Sequence, residues 1–131
     1  MASALYPKWK ENLIQFTANN DLDNASLKVA LIDTGTYTYN SAHDFYADLS
    51  GVVGTPVALT TSRTYTNGLF DAADVTFTSV SGNSVEALVI YVDTGNTATS
   101  PLIAYIDGFS AVTPNGGDIT VAWNASGIFQ L

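Results

Sequence analysis

Asp-Thr-Gly occurs twice in the chain, at residues 33–35 in VALIDTGTYT and at 93–95 in VIYVDTGNTA, each time closing an apolar run. Such a tripeptide at a strand end can present a carboxylate for acid–base chemistry. In aspartic proteases two of these carboxylates lie about 3 Å apart and share one proton. Each must come from an equivalent lobe, or from an equivalent chain of a dimer. Asp33 and Asp93 are 60 residues apart and only 36 residues follow Gly95, too little chain for two lobes. The residue after Gly is Thr36 or Asn96, and the supporting apolar-apolar-Gly element is represented only by YIDG at 105–108. The expected role is structural: Asp33 and Asp93 cap the turns that end two inner strands, and Gly35 and Gly95 supply a positive φ.

The other reactive side chains form no constellation. His43 is the single histidine and there is no cysteine, so a zinc site would rest on carboxylates, which suit zinc poorly. His43 is read as a residue of a capped surface helix. NNDLDN at 19–24 offers oxygen ligands for a weak Ca²⁺ site, yet lacks the Gly and distal Glu of an EF-hand loop. It reads as a solvated turn. NAS at 24–26 and 124–126 would carry glycans only after secretion. Tyr37, Tyr39, Phe45, Tyr46 and Tyr65 flank polar loops, where they would cover a core or a subunit contact, or stack on sugar rings.

The elements that must hold these residues are mostly strands. YPKWKENLIQFTANN predicts a helix over about 6–20, with Pro7 at its first position and Trp9, Leu13 and Phe16 on one face. LKVALI (27–32) reads as a buried strand. SAHDFYADLS (41–50) suggests a second helix with Ser41 as cap, Asp44 completing a capping box, and Ala42, Phe45 and Leu49 inward. GVVGTP (51–56) reads as a loop, followed by a strand from Val57 and a turn at Asn67-Gly68. Val75, Phe77 and Ser79 alternate with Thr76, Thr78 and Val80 as a half-buried strand, and a long strand is expected over Val85 to Val92. LIAYI (102–106), ITVAW (119–123, with Ile119, Val121 and Trp123 on one face) and an edge strand GIFQL (127–131) complete the set. Strands at short spacing without intervening helices predict a single mainly β domain over 1–131. The expected architecture is an antiparallel β-sandwich or barrel-like sheet with one or two short N-terminal helices.

Composition narrows the partners. The 131 residues carry 12% charged side chains, against about 25% in an average domain. Twelve acids against four bases give a net charge of −8, so no cationic footprint for nucleic acid or an anionic membrane is expected. No stretch approaches the roughly 20 apolar residues of a membrane span, and MASALYPKWKENL does not read as a signal peptide. Synthesis in the cytoplasm is the expectation.

Taken together, YPKWKENLIQ (6–15), LKVALIDTGTYTYNSAHDFYADL (27–49), TYTNGLFDAADVTFTSVSGNSVEALVIYVDTG (64–95), SPLIAYIDG (100–108) and VTPNGGDITVAWNASGIFQL (112–131) resemble a family of small tailed-bacteriophage virion proteins. The resemblance covers nearly the whole chain and brings no catalytic motif with it. It implies a non-enzymatic virion component, foremost a capsid decoration (cement) protein on the outer head surface. Its partners would be the major capsid protein and further copies of itself, as a dimer or trimer, with no nucleic acid, membrane, metal or cofactor. Leu5, Tyr6 and Trp9 near the N-terminus and Ile128, Phe129 and Leu131 near the C-terminus are then the candidate capsid or oligomer contacts. The alternative is a tail or host-contact component binding surface glycans through the tyrosine-rich loops. A third is a dimeric aspartic protease of head maturation.

Overall fold

In the computed structural model, residues 3–15, 22 and 26–131 are described. The fold is mainly β and antiparallel. Its centre is a five-stranded sheet in which β1 (Ala4–Leu5), β7 (Leu102–Ile106), β6 (Ala87–Val92), β2 (Leu27–Ile32) and β3 (Val52–Ala58) lie side by side in that order. Two short pairs complete it: β4 (Leu69–Phe70) with β9 (Phe129–Gln130), and β5 (Val75–Phe77) with β8 (Ile119–Val121). The helix α1 covers Pro7–Ile14 and packs against β7.

The central strands are apolar on every residue or nearly so because both faces of the sheet are covered, which removes the usual polar alternation. Pairing of Leu31 with Leu88 and of Val29 with Ile90 sets one aliphatic face. Against it lie Ile119, Val121, Trp123 and Ile128. The opposite face is tyrosine-rich. Tyr105 stands beside Val89 there and meets Tyr37 and Tyr39, while Tyr91 meets Tyr46 at 4.6 Å between ring centres. The segment after β2 therefore supplies the second cover.

Several local expectations are overturned. Residues 41–50 form no α-helix; only a 3₁₀ turn at Tyr46–Asp48 appears, and Ala42 is exposed. The cap is Asp48, whose carboxylate accepts from the amides of Asp44 and Phe45, and Ser41 does not serve. The outer edge of β7 takes this segment instead: Leu102 N–H donates to Asp44 O, and Tyr46 N–H donates to Ser100 O. Pairing with an otherwise open edge wins over a local helix. Further along β7, Tyr6 N–H donates to Ile103 O beside β1, so two separate segments close one edge.

GVVGTP is likewise no loop but most of β3. Gly54, at φ +70°, allows a bulge against β2, and Pro56 is tolerated because β3 is an edge strand. Ser79 adopts φ +51°, which breaks the alternation after Phe77; Ser79 is exposed and Val80 buried. Strand β6 begins at Ala87, with Val85 in an isolated bridge to Val112. The far end of the expected helix beyond Gln15, including Phe16, and nearly all of the oxygen-rich 19–24 segment lie outside the described residues.

Candidate functional site

Strands β2 and β6 are adjacent and antiparallel, with Leu27 opposite Val92 and Ile32 opposite Ala87. Asp33 follows the end of β2 and Asp93 the end of β6, so the two carboxylates occupy opposite ends of the pair. At about 3.3 Å per residue this separates them by roughly 23 Å along the strands. Within one chain they do not form a dyad.

Each aspartate instead closes its own turn. The Asp33 carboxylate accepts from Gly35 N–H (2.9 Å), Thr36 Oγ1 (3.1 Å) and Asn83 Nδ2 (3.1 Å). Its own N–H donates to Gly51 O at 2.8 Å. Gly51 sits at φ +66°, and a Cβ there would lie 2.7 Å from Asp33 O, so the approach of this loop requires glycine. The Gly35 amide, aided by Thr36 and Asn83, holds the Asp33 carboxyl below the usual carboxylate range despite its burial. Thr34 turns away to donate from N–H (3.0 Å) and Oγ1 (3.1 Å) to Glu86 Oε1.

At the other end, Asp93 accepts from Lys28 Nζ (2.8 Å) and Gly95 N–H (2.9 Å), and Lys28 is the main cause of its lowered pKa. Donors gathered on each carboxylate favour the ionised form, the opposite of a shared proton. Gly95 has the expected positive φ of +85°, but Gly35 does not. Glycine at 35 leaves room for the capping carboxylate, since a Cβ would stand 3.1 Å from Asp33 Oδ1.

A second cluster was not visible as a unit in the sequence. Tyr6 and Tyr37 hydroxyls are 2.8 Å apart, and Tyr37 Oη lies 2.8 Å from His43 Nδ1. His43 is therefore half-buried at the end of a hydrogen-bonded chain rather than on a surface helix. Burial pushes the Tyr6 hydroxyl well above the ordinary tyrosine value and raises that of Tyr37. Beside this chain opens a cleft of about 390 Å³, lined among others by Thr34, Tyr39, Glu86, Tyr105 and Asp107. A larger groove of about 460 Å³ lies under β8, between Leu31, Leu88 and Ile106 and the side chains of Ile119 and Trp123.

The terminal residues divide. Tyr6 and Trp9 are 0% and 1% exposed and belong to the core, so in this fold they are closed to a partner. Phe129 stacks on Phe70 (5.1 Å) and meets Trp9 edge-on (5.7 Å), fixing β9 over α1. Leu5, Ile128 and Phe129 are partly buried, and Leu131 is 63% exposed. Phe109, exposed on the loop after β7, was not singled out from the sequence, because a lone aromatic in a loop carries no periodicity. Among the described residues no cluster of three His, Asp or Glu could hold a metal, and no helix is long and apolar enough to cross a membrane. No protein-family model and no curated protein matches this chain.

Proposed function

We propose that the chain is a structural protein of a tailed-bacteriophage virion, a capsid decoration protein that stabilises contacts between capsomers from the outer head surface. One observation in the fold carries the reading beyond the sequence resemblance. The C-terminal strand β9 is only two residues long and, among the described residues, pairs with β4 alone, while Leu131 beyond it is largely exposed. An anchored strand with an apolar tip and an open edge suits addition to a neighbouring subunit's sheet. Phe129 holds the strand in place, and Leu131 and the outer edge face the partner. Lattice binding of this kind needs a rigid body and repeated weak contacts rather than an active site. The reading assigns Asp33 and Asp93 to turn geometry and gives neither a catalytic role. The acidic surface suits the outside of a head more than its DNA-facing inside.

The test is fractionation of virions into heads and tails, with cryo-electron microscopy to locate the protein. Stoichiometric occupancy of the head, lost on Leu131→Asp while the isolated protein keeps its melting temperature, is the expected result. Recovery with tails alone would overturn the assignment. Heads lacking the protein should also burst at lower temperature or milder osmotic shock, with adsorption to host cells unchanged.

A further inference from the structure

We propose that β8 is a docking edge for a second copy of this chain, whose own β8 adds antiparallel across a two-fold axis. The β5–β8 ribbon then continues into a four-stranded sheet shared by the two copies. Three observations carry this pairing.

The first is an open edge. Val80 N–H donates to Gly117 O (2.9 Å) and Trp123 N–H donates to the Asp74 carboxylate (3.0 Å), so Gly117 and Trp123 turn to the β5 side. Every second residue of a strand directs its N–H and C=O to the same neighbour. Ile119 and Val121 therefore bond to β5 opposite Phe77 and Val75, and Thr120 and Ala122 direct their backbone groups outward. The Thr76 and Thr120 hydroxyls, 3.2 Å apart, fit the close kind of pair that exchanges no backbone bonds. Among the described residues no strand pairs with β8 on its outer side, and no backbone bond from elsewhere reaches Thr120 or Ala122. Both residues are exposed.

The second is the shape beside that edge. The groove of about 460 Å³ is lined by every residue from Ile119 to Asn124. A hollow beneath one face of a strand meets alternate residues; consecutive ones extend it along the edge. Leu31, Leu88 and Ile106 line it too, as does Phe109, which is 38% exposed. A strand laid on the β8 edge sends alternate side chains into this hollow, which selects apolar residues two apart.

The third is that β8 carries this pattern itself. Ile119 and Val121 are partly buried against the core, with the uncharged, exposed Thr120 between them. Opposite residues of an antiparallel pair share a face, so the partner's Ile119 and the partner's Val121 fall on the groove side. One element is both the edge and the strand that docks on it, and a two-fold operation satisfies both copies at once. Edges that must stay unpaired are guarded by Pro, charge or bulges. The edge strand β3 has Pro56 and a bulge beside Gly54, whereas residues 119–122 have no Pro, no charge and no bulge against β5.

The pairing does not depend on a head or tail location, so virion fractionation bears on the proposed function and leaves this edge untouched. The test is sedimentation velocity of the purified chain over a concentration series, with cysteine crosslinking of the same chain. The parent should pass from monomer to dimer as its concentration rises. The chain has no cysteine, so a single introduced one reports a single contact. Opposite residues in antiparallel strands have Cα atoms about 4.5–5.5 Å apart, within disulfide reach. Thr120→Cys alone, Ala122→Cys alone or their equimolar mixture, according to register, should crosslink about tenfold faster than Ala98→Cys, exposed on the loop before β7. The double variant Thr120→Lys/Ala122→Lys should sediment as a monomer with an unchanged melting temperature, because both positions are exposed. Mixing it with Thr120→Glu/Ala122→Glu should restore the dimer. A parent that is monomeric across the whole series, crosslinking no faster than at Ala98, or a dimer that survives the double Lys variant would overturn the proposal. So would a monomeric parent whose occupancy of heads is lost in that variant, which would give the edge to a foreign strand.

Discussion

Removing the Phe129 ring tests how the C-terminus is held. Phe129→Ala deletes one stacked pair, with Phe70, and one edge-to-face pair, with Trp9. Aromatic pairs contribute about 0.5–1.5 kcal/mol each beyond area. The ring is only partly buried, so its transfer term is about half the 1.5–3 kcal/mol of a fully buried phenyl. The expected loss is about 2–3 kcal/mol, or a fall of roughly 10 °C in Tm for a chain of this size. A second signal is specific to the geometry. Trp9 Nε1 is buried without a hydrogen-bond partner, so opening the lid over it should admit water and shift its fluorescence to the red. The measurement is urea unfolding with emission spectra in a Trp123→Phe background, where Trp9 is the sole indole. Phe129→Leu should fall between parent and Ala. A loss below about 0.5 kcal/mol, or Trp9 emission unchanged in Phe129→Ala, would refute the claim that the Phe70–Phe129–Trp9 stack fixes β9.

The turn assignment predicts an order. Asp33→Ala should lower Tm more than Asp93→Ala, since Asp33 ties Gly35, Thr36 and Asn83 together while Asp93 lies partly in solvent; equal melting curves for the two variants would sink it. Asp93→Ala should cost about 0.5–2 kcal/mol, as for a lost side-chain cap. In acid, the lowered pKa values of Asp33, Asp48 and Asp93 mean stability that is complete above the unfolded carboxylate value and disappears as pH falls through the folded ones. Urea midpoints should therefore hold near neutrality and drop below about pH 4. In alkali, the raised tyrosine values give stability that is complete below the unfolded value of about 10 and is lost as pH rises beyond it. Absorbance at the tyrosinate band should rise only partly near that pH, with the remainder appearing together with unfolding; a single simple titration of all tyrosines would contradict the buried cluster.

The runs LKVALI and LIAYI are legible as strands because their apolar residues are needed on both faces of a doubly covered sheet. VEALVIYV (85–92) is legible for the same reason, although Val85 belongs to a bridge and β6 begins at Ala87. The Asp-Thr-Gly turns are legible because an Asx turn is local: the carboxylate and the amide it caps are two residues apart. Local signals mislead where a distant edge competes. Ser41 and Asp44 spell a capping box, yet Asp44 and Phe45 are recruited to β7, nearly sixty residues later. Gly54 and Pro56 spell a loop, but both fit an edge strand with a bulge. The cleft was hidden for a related reason. Tyr39, Glu86 and Asp107 are far apart in sequence, and only the order β7-β6-β2 brings them to one end of the sheet.

The pairing of Ala4 with Tyr105 has a consequence in time. Ala4 and Leu5 find their strand partners only after about a hundred further residues have followed, a long loop closure. During synthesis β1 waits for β7, and when β7 does emerge, part of its edge stays open until β1 returns. The β7 edge is thus closed last, by a strand made about a hundred residues earlier. Crowded copies emerging together would be most prone at that stage to pair β7 with one another, and a fusion that tethers the N-terminus away should lower soluble yield more than one at the C-terminus.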